Sequence, residues 1–248
     1  MTGQVAVVEH EASAGASLMT DALGADVRIV RPYLGEPLPE LSELAGLLVL
    51  GGSMGAWDDE VAPWLPATRN LMRDAVQTRL PIFGICLGAQ LLAAACGGTV
   101  GRGADGLELG LVPVTPLPAA HTDPFFSRVQ SAVSEDREAP WLVRQYHFDA
   151  VIELPAEAEL MVTGDLYPHQ GFRIGPAAWG VQYHPEVSTD LFTEWVEGEL
   201  RSGGLPADAV HVLGPIRDAS ATQSLLANAH ATAFLDVVSA TDAVRGLR

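Results

Sequence analysis

The chain has no lysine. All 14 basic residues among its 248 are arginine; they stand against 31 aspartates and glutamates, and the formal net charge is −17. A surface this acidic repels phosphate backbones and anionic headgroups, which argues against a nucleic-acid or membrane-surface partner. Arginine in place of lysine, beside abundant alanine and glycine, reads as a GC-rich genome rather than halophily. Cysteine is equally scarce. Cys86 and Cys96 are the only two, too few for a disulfide framework. Ten positions apart on one helix they lie roughly 15 Å from each other, beyond bridging distance, so a reduced, cytoplasmic protein is expected. The first residues show no basic stretch followed by a cleavage site, and no apolar run reaches 18 residues, so neither secretion nor membrane spanning is indicated. Neither a repeat nor a low-complexity tract stands out. The histidines lack ligand spacing, so no metal or cofactor is expected.

Present instead is an alternation of strand and helix patterns. Residues 4–9, 26–30, 45–50 and 80–85 are short apolar strands. Residues 16–23, 63–78 and 87–95 have helical periodicity, the first closed by Gly24 and the last capped by Gly97 and Gly98. This βα order predicts an α/β fold with a mostly parallel central sheet between helical layers. The middle reads differently. Strands at 107–114, 141–146, 159–163, 170–174 and 178–183 follow at short spacing, so hairpins are expected to extend the sheet. A helix over 188–200 has Ser188 as N-cap. Beyond Gly203 and Gly204, segments 206–213 and 216–238 are helical. The expected division is therefore an α/β domain over 1–203 and a C-terminal helical appendage over 204–248. The apolar face of that appendage packs on the sheet domain or on a partner, which leaves a homodimer open.

Two segments carry chemistry. In Gly84-Ile85-Cys86-Leu87-Gly88 an apolar strand breaks into a helix, the arrangement that sets a nucleophile on a sharp turn, with glycines allowing strand and helix to approach. In His184-Pro185-Glu186 a carboxylate returns to the face of a histidine two residues earlier and can orient its ring. A thiol needs a base and the base needs an orienting group, so Cys86, His184 and Glu186 are the candidate triad. Gly51-Gly52-Ser53-Met54-Gly55 follows a buried strand without the Lys-Ser/Thr of a phosphate loop. Backbone N–H groups of this loop, with that of Leu87 after the nucleophile, are the candidate oxyanion donors. Ser53 as an independent nucleophile is the weaker alternative. Cys96 has no such setting and reads as packing, and His10, His121, His169, His211 and His230 read as ordinary surface histidines.

Together these motifs resemble the class I glutamine amidotransferases, the triad type built on a flavodoxin-like three-layer α/β sandwich. The resemblance covers about residues 3–200. It rests on Gly51-Gly52-Ser53, Gly84-Ile85-Cys86-Leu87-Gly88-Ala89-Gln90, Gln145-Tyr146-His147 and Gln182-Tyr183-His184-Pro185-Glu186, in the family's order. In detail, Tyr167-Pro168-His169-Gln170-Gly171-Phe172-Arg173 and Ala178-Trp179-Gly180 are similar to stand-alone members related to the glutaminase domain of GMP synthase. The resemblance implies that Cys86 attacks the side-chain amide of L-glutamine to form a γ-glutamyl thioester. His184 then protonates the ammonia and activates water, and Glu186 orients His184. It also implies oxyanion donors in the N–H groups of Gly52 and Leu87, and substrate contacts from Gln90, Tyr146 and His147. Family members often carry His-Gly-Asp where this chain has His147-Phe148-Asp149. No acceptor site is legible, so ammonia is expected to pass to a separate synthase. Hydrolysis of γ-glutamyl amines or peptides by the isolated chain is the alternative, and a non-catalytic module with the same fold is a third.

Overall fold

The computed structural model describes residues 3–24 and 27–245. The expected start of the second strand at Asp26, and the outer ends of the two expected units, lie outside the described residues. The strands are β1 (Gln4–Val8), β2 (Val27–Val30), β3 (Leu44–Val49), β4 (Ile82–Ile85), β5 (Thr99–Arg102), β6 (Glu108–Pro116), β7 (Trp141–His147), β8 (Asp149–Glu153), β9 (Ala158–Gly164), β10 (Gly171–Ile174) and β11 (Ala178–Val181). The helices are α1 (Thr20–Leu23), α2 (Leu65–Gln77), α3 (Leu87–Ala95), α4 (Phe126–Val133), α5 (Thr189–Ser202), α6 (Leu213–Asp218) and α7 (Ser220–Arg245).

A nine-stranded sheet runs β2-β1-β3-β4-β11-β10-β9-β6-β7. The β2-β1-β3-β4-β11 half is parallel throughout. From β11 onward every pairing is antiparallel, the hairpin extension that the short strand spacing predicts. β3, β4 and β11 are buried along their whole length, as strands covered on both faces must be. On one face α2 and α3 close a core with Leu47, Val49, Ile82 and Phe172. On the other, α4 and α7 close a core with Leu48, Phe83, Trp179 and Tyr183. A smaller cluster joins α5 and α6 through Phe192, Val196 and Ile216.

The C-terminal segment forms part of the sandwich. Leu226, Ala229, Ala233, Phe234 and Val237 of α7 lie in the same buried cluster as the sheet residues. The apolar face that left a partner contact open is thus used within this chain, and Leu225 beside it remains 46% exposed. His230, at the centre of that face, is buried and stacks beside Phe83. Its Nδ1 donates to the Leu226 carbonyl at 2.8 Å, and its Nε2 accepts from the Tyr183 hydroxyl at 2.9 Å. His10 is buried too, with Nδ1 accepting from the Trp64 indole at 3.0 Å. Neither is the surface histidine that its isolated sequence context suggests.

Burial pushes both imidazoles down to about 4. A depressed folded value means that the unfolded chain takes up protons first as pH falls below the ordinary histidine value, so stability present near pH 7 is lost on acidification. Each histidine should cost about 2 kcal/mol between pH 7 and pH 5. Urea unfolding at the two pH values, with NMR of the two imidazoles, checks this. Both rings should stay neutral at pH 5, and a charged ring there would contradict the assignment.

Candidate active site

The site lies where the parallel strands end at their carboxyl edge, the position that an open α/β sheet offers to ligands. β4 pairs in parallel with β11, Ile85 opposite Val181. The ladder extends one step further, with the Cys86 N–H donating to the Val181 carbonyl at 2.8 Å. Cys86 and the segment 182–186 therefore emerge side by side. The loop 51–55 follows β3 on the other flank of β4.

At Cys86 the chain leaves β4 with φ 51° and ψ −108° before entering α3. A left-handed conformation at a residue with a side chain costs on the order of 1–3 kcal/mol and persists only where its surroundings impose it. Glycines supply those surroundings. A Cβ on Gly84 would stand 2.6 Å from the Gly88 carbonyl oxygen, and one on Gly88 would collide with that of Val49. The strand, the helix and β3 are thus in backbone contact, and the sharp turn turns the thiol toward the cleft. Leu87 opens α3, so its N–H lacks a helical partner. A Cβ on Gly52 would stand 2.7 Å from Met54 Sδ and 3.0 Å from Leu87 Cδ2. The contacts are side chains rather than backbone, and they place this loop beside the first turn of α3.

His184 and Glu186 are buried, and His184 Nδ1 lies 2.8 Å from Glu186 Oε1. The other ring nitrogen is not engaged by Glu186, and His184 and Cys86 line the same cleft. Burial alone would lower the His184 pKa. The charges of Glu186 and Cys86 and hydrogen bonds to both outweigh it, and the imidazole is held well above its ordinary value. Gly51 packs against the ring, its virtual Cβ 3.1 Å from Cε1. Arg144 braces the segment from below. Its carbonyl accepts the His184 N–H at 2.8 Å, and its guanidinium reaches the Val187 carbonyl and, at 2.8 Å, Thr189 Oγ1. Desolvation pulls Arg144 down to about 10 while Glu186 pulls it back up, so it remains a cation at neutral pH.

The candidate substrate residues share the cleft, though their polar atoms largely face the protein. Gln90 donates through Nε2 to the Asp149 carbonyl at 2.8 Å and to Gln182 Oε1 at 3.1 Å. Both ring nitrogens of His147 face protein oxygens, Asp149 O at 3.0 Å and Glu108 Oε2 at 2.9 Å. Tyr146 packs beside Trp195 with ring centroids 6.2 Å apart, and desolvation, then the charge of Glu199, pushes its phenol up to about 12. Several neighbours were not singled out from sequence. Gln182 donates to Cys86 Sγ at 3.5 Å, and its position two residues before His184 was the available signal. Trp195 stands edge-on to His184 at 5.3 Å, and Glu108 carries His147 and Gln170. Glu11, Asp58, Arg102, Phe148, Asp149 and Glu199 also line a cleft of about 570 Å³. Among the described residues no group of three or more His, Cys, Asp or Glu side chains could hold a metal ion. No described helix is long and apolar enough to cross a membrane.

The profile described as "Glutamine amidotransferase class-I" matches residues 14–200 of the chain. Gamma-glutamyl peptidase 5 of Arabidopsis thaliana is 27% identical over 160 residues, 64% of this chain and 60% of that protein. The glutamine-hydrolyzing GMP synthase of Aeropyrum pernix is 30% identical over 177 residues, 70% of this chain and 30% of that protein. The chain thus matches less than two thirds of either relative. A glutamine amidotransferase structure from Thermotoga maritima superposes with a TM-score of 0.78 at 26% identity, covering 94% of this chain and 99% of that one.

Replacing Glu186 by Gln removes one of the charges that lift His184 while keeping the shape of the side chain. The His184 pKa should fall, so the alkaline limb of the pH–rate profile should move to lower pH. Turnover should drop by ~100-fold or more. An unchanged profile would show that Glu186 does not act on the ring.

Proposed function

The chain belongs to the class I glutamine amidotransferases, and we propose that within the family it hydrolyses the side-chain amide of L-glutamine through a thioester on Cys86. The observation that carries this reading is the strained backbone at Cys86 beside the buried His184–Glu186 pair. Cys86 Sγ attacks the γ-carbonyl carbon, and charge gathers on its oxygen toward the N–H groups of Gly52 and Leu87. Collapse of this adduct breaks the C–N bond, and the proton on His184 goes to the departing nitrogen, which leaves as ammonia. His184, now neutral, takes a proton from water as the water oxygen attacks the thioester. Glutamate leaves, and the proton returns the Cys86–His184 pair to its starting state.

The ammonia passes, in this reading, to a separate synthase, as the likeness to a GMP synthase supports. Two free cysteines fit a reducing compartment such as the cytoplasm. A second reading, γ-glutamyl peptide or amine hydrolysis by the chain itself, is favoured by the size of the cleft, which is larger than one glutamine fills, and by the likeness to a γ-glutamyl peptidase. Both readings break the same bond through the same thioester.

Ammonia release from L-glutamine, measured beside glutamate release from γ-glutamyl dipeptides, separates them. Cys86→Ala should abolish both while leaving the thermal unfolding midpoint within a few degrees of the parent. Glutamine turnover that survives in Cys86→Ala would overturn the mechanism.

A further inference from the structure

We propose that Arg102 is the clamp for the α-carboxylate of the γ-glutamyl group; the proposal rests on the reading of Cys86 as the γ-glutamyl acceptor. Such a substrate carries a carboxylate and an ammonium on the same carbon. Apart from its histidines, the cleft presents the carboxylates of Glu11, Asp58, Asp149 and Glu199, and Arg102 is the one guanidinium among the described lining residues. Outside the Cys86–His184 pair, the four carboxylates disfavour an entering anion, and Arg102 is the lining cation that can attract one.

The fold places Arg102 for the task. β5 and β8 form a separate antiparallel ribbon in which Arg102 pairs directly with Asp149. The guanidinium carbon sits 4.0 Å from the ring centroid of Phe148. A flat apolar ring fixes the plane of the guanidinium without occupying its N–H groups. Nη1 lies 3.8 Å from Asp149 Oδ1, with side-chain exposures of 67% and 30%. This is a loose pair of opposite charges lying side by side, as the two α-groups of the substrate do. Arg102 can take the carboxylate through its planar fork and Asp149 the ammonium. Phe148, which stands where relatives often have glycine, is then the platform for the clamp.

Orientation follows from the general acid. The leaving nitrogen must face His184, against which Trp195 packs, so the α-carbon end points the other way. There Gln182 bonds Gln90, and Gln90 in turn holds the Asp149 carbonyl. Gln182, whose side chain touches Cys86, is thus linked through Gln90 to the Asp149 backbone of the clamp.

Arg102→Met is the test, with Arg102→Lys and two alkylating probes for comparison. 6-Diazo-5-oxo-L-norleucine carries both α-groups and alkylates a thiolate with loss of dinitrogen; iodoacetamide lacks them and alkylates with loss of iodide. In Arg102→Met, labelling of Cys86 by the diazo ketone should slow by roughly 10- to 100-fold relative to iodoacetamide, the loss expected of a charge-assisted hydrogen-bonding partner. The KM for glutamine should rise by a similar factor with kcat little changed, and Arg102→Lys should recover part of the loss. An unchanged labelling ratio in a folded Arg102→Met would overturn the clamp while leaving the thioester chemistry standing. Failure of the diazo ketone to label Cys86 in the parent, with iodoacetamide reacting, would overturn both.

Discussion

The structure turns on one backbone residue. Cys86 sits at positive φ between a buried strand and a helix, and the glycines on either side let β3, β4 and α3 meet backbone to backbone. That contact fixes where the thiol emerges, beside the unpaired first N–H of α3, which is the proposed oxyanion donor. A looser turn would still hold a cysteine but would not align it with the donors. The strain is thus offset by packing elsewhere in the sheet and spent on orientation.

The rest of the site supplies the proton economy. His184 would be driven neutral by its burial, and Glu186 and Cys86 reverse that. Arg144 keeps the segment in place and puts a buried positive charge near Glu186. Support also comes from the opposite face of the sheet, where Tyr183, between Gln182 and His184, is tied to His230 of α7. The C-terminal helix is therefore linked to the segment that carries His184 and Glu186 through one hydrogen bond and a shared aromatic core.

Much of this was legible in the residues. The switch from an apolar strand to a small-residue helix around Cys86 predicted helix 87–95, and the helix observed is Leu87–Ala95. Ser188 caps α5 as expected, accepting the Leu191 N–H at 3.2 Å. Other features were invisible for physical reasons. β5 and β8 are short, and β5 contains a glycine; they exist because each pairs with a strand about fifty residues away, so no local pattern announces them or the meeting of Arg102 with Asp149. α1 is a single turn after a 3-10 segment, shorter than the helix expected over 16–23. The segment 216–238 divides into α6 and α7. An apolar helical face says that a helix is buried and not against what, which is why the place of α7 in the sandwich, and the burial of His230, needed the structure.

Everything proposed for Cys86 depends on a covalent step. Intact-protein mass spectrometry of the chain quenched in acid during turnover of L-glutamine tests it most directly. A species heavier by one glutamyl unit, mapped to the peptide containing Cys86, is the predicted result. Protein unmodified during demonstrable turnover under quench conditions that preserve thioesters, or an adduct mapped to Ser53 instead, would contradict it.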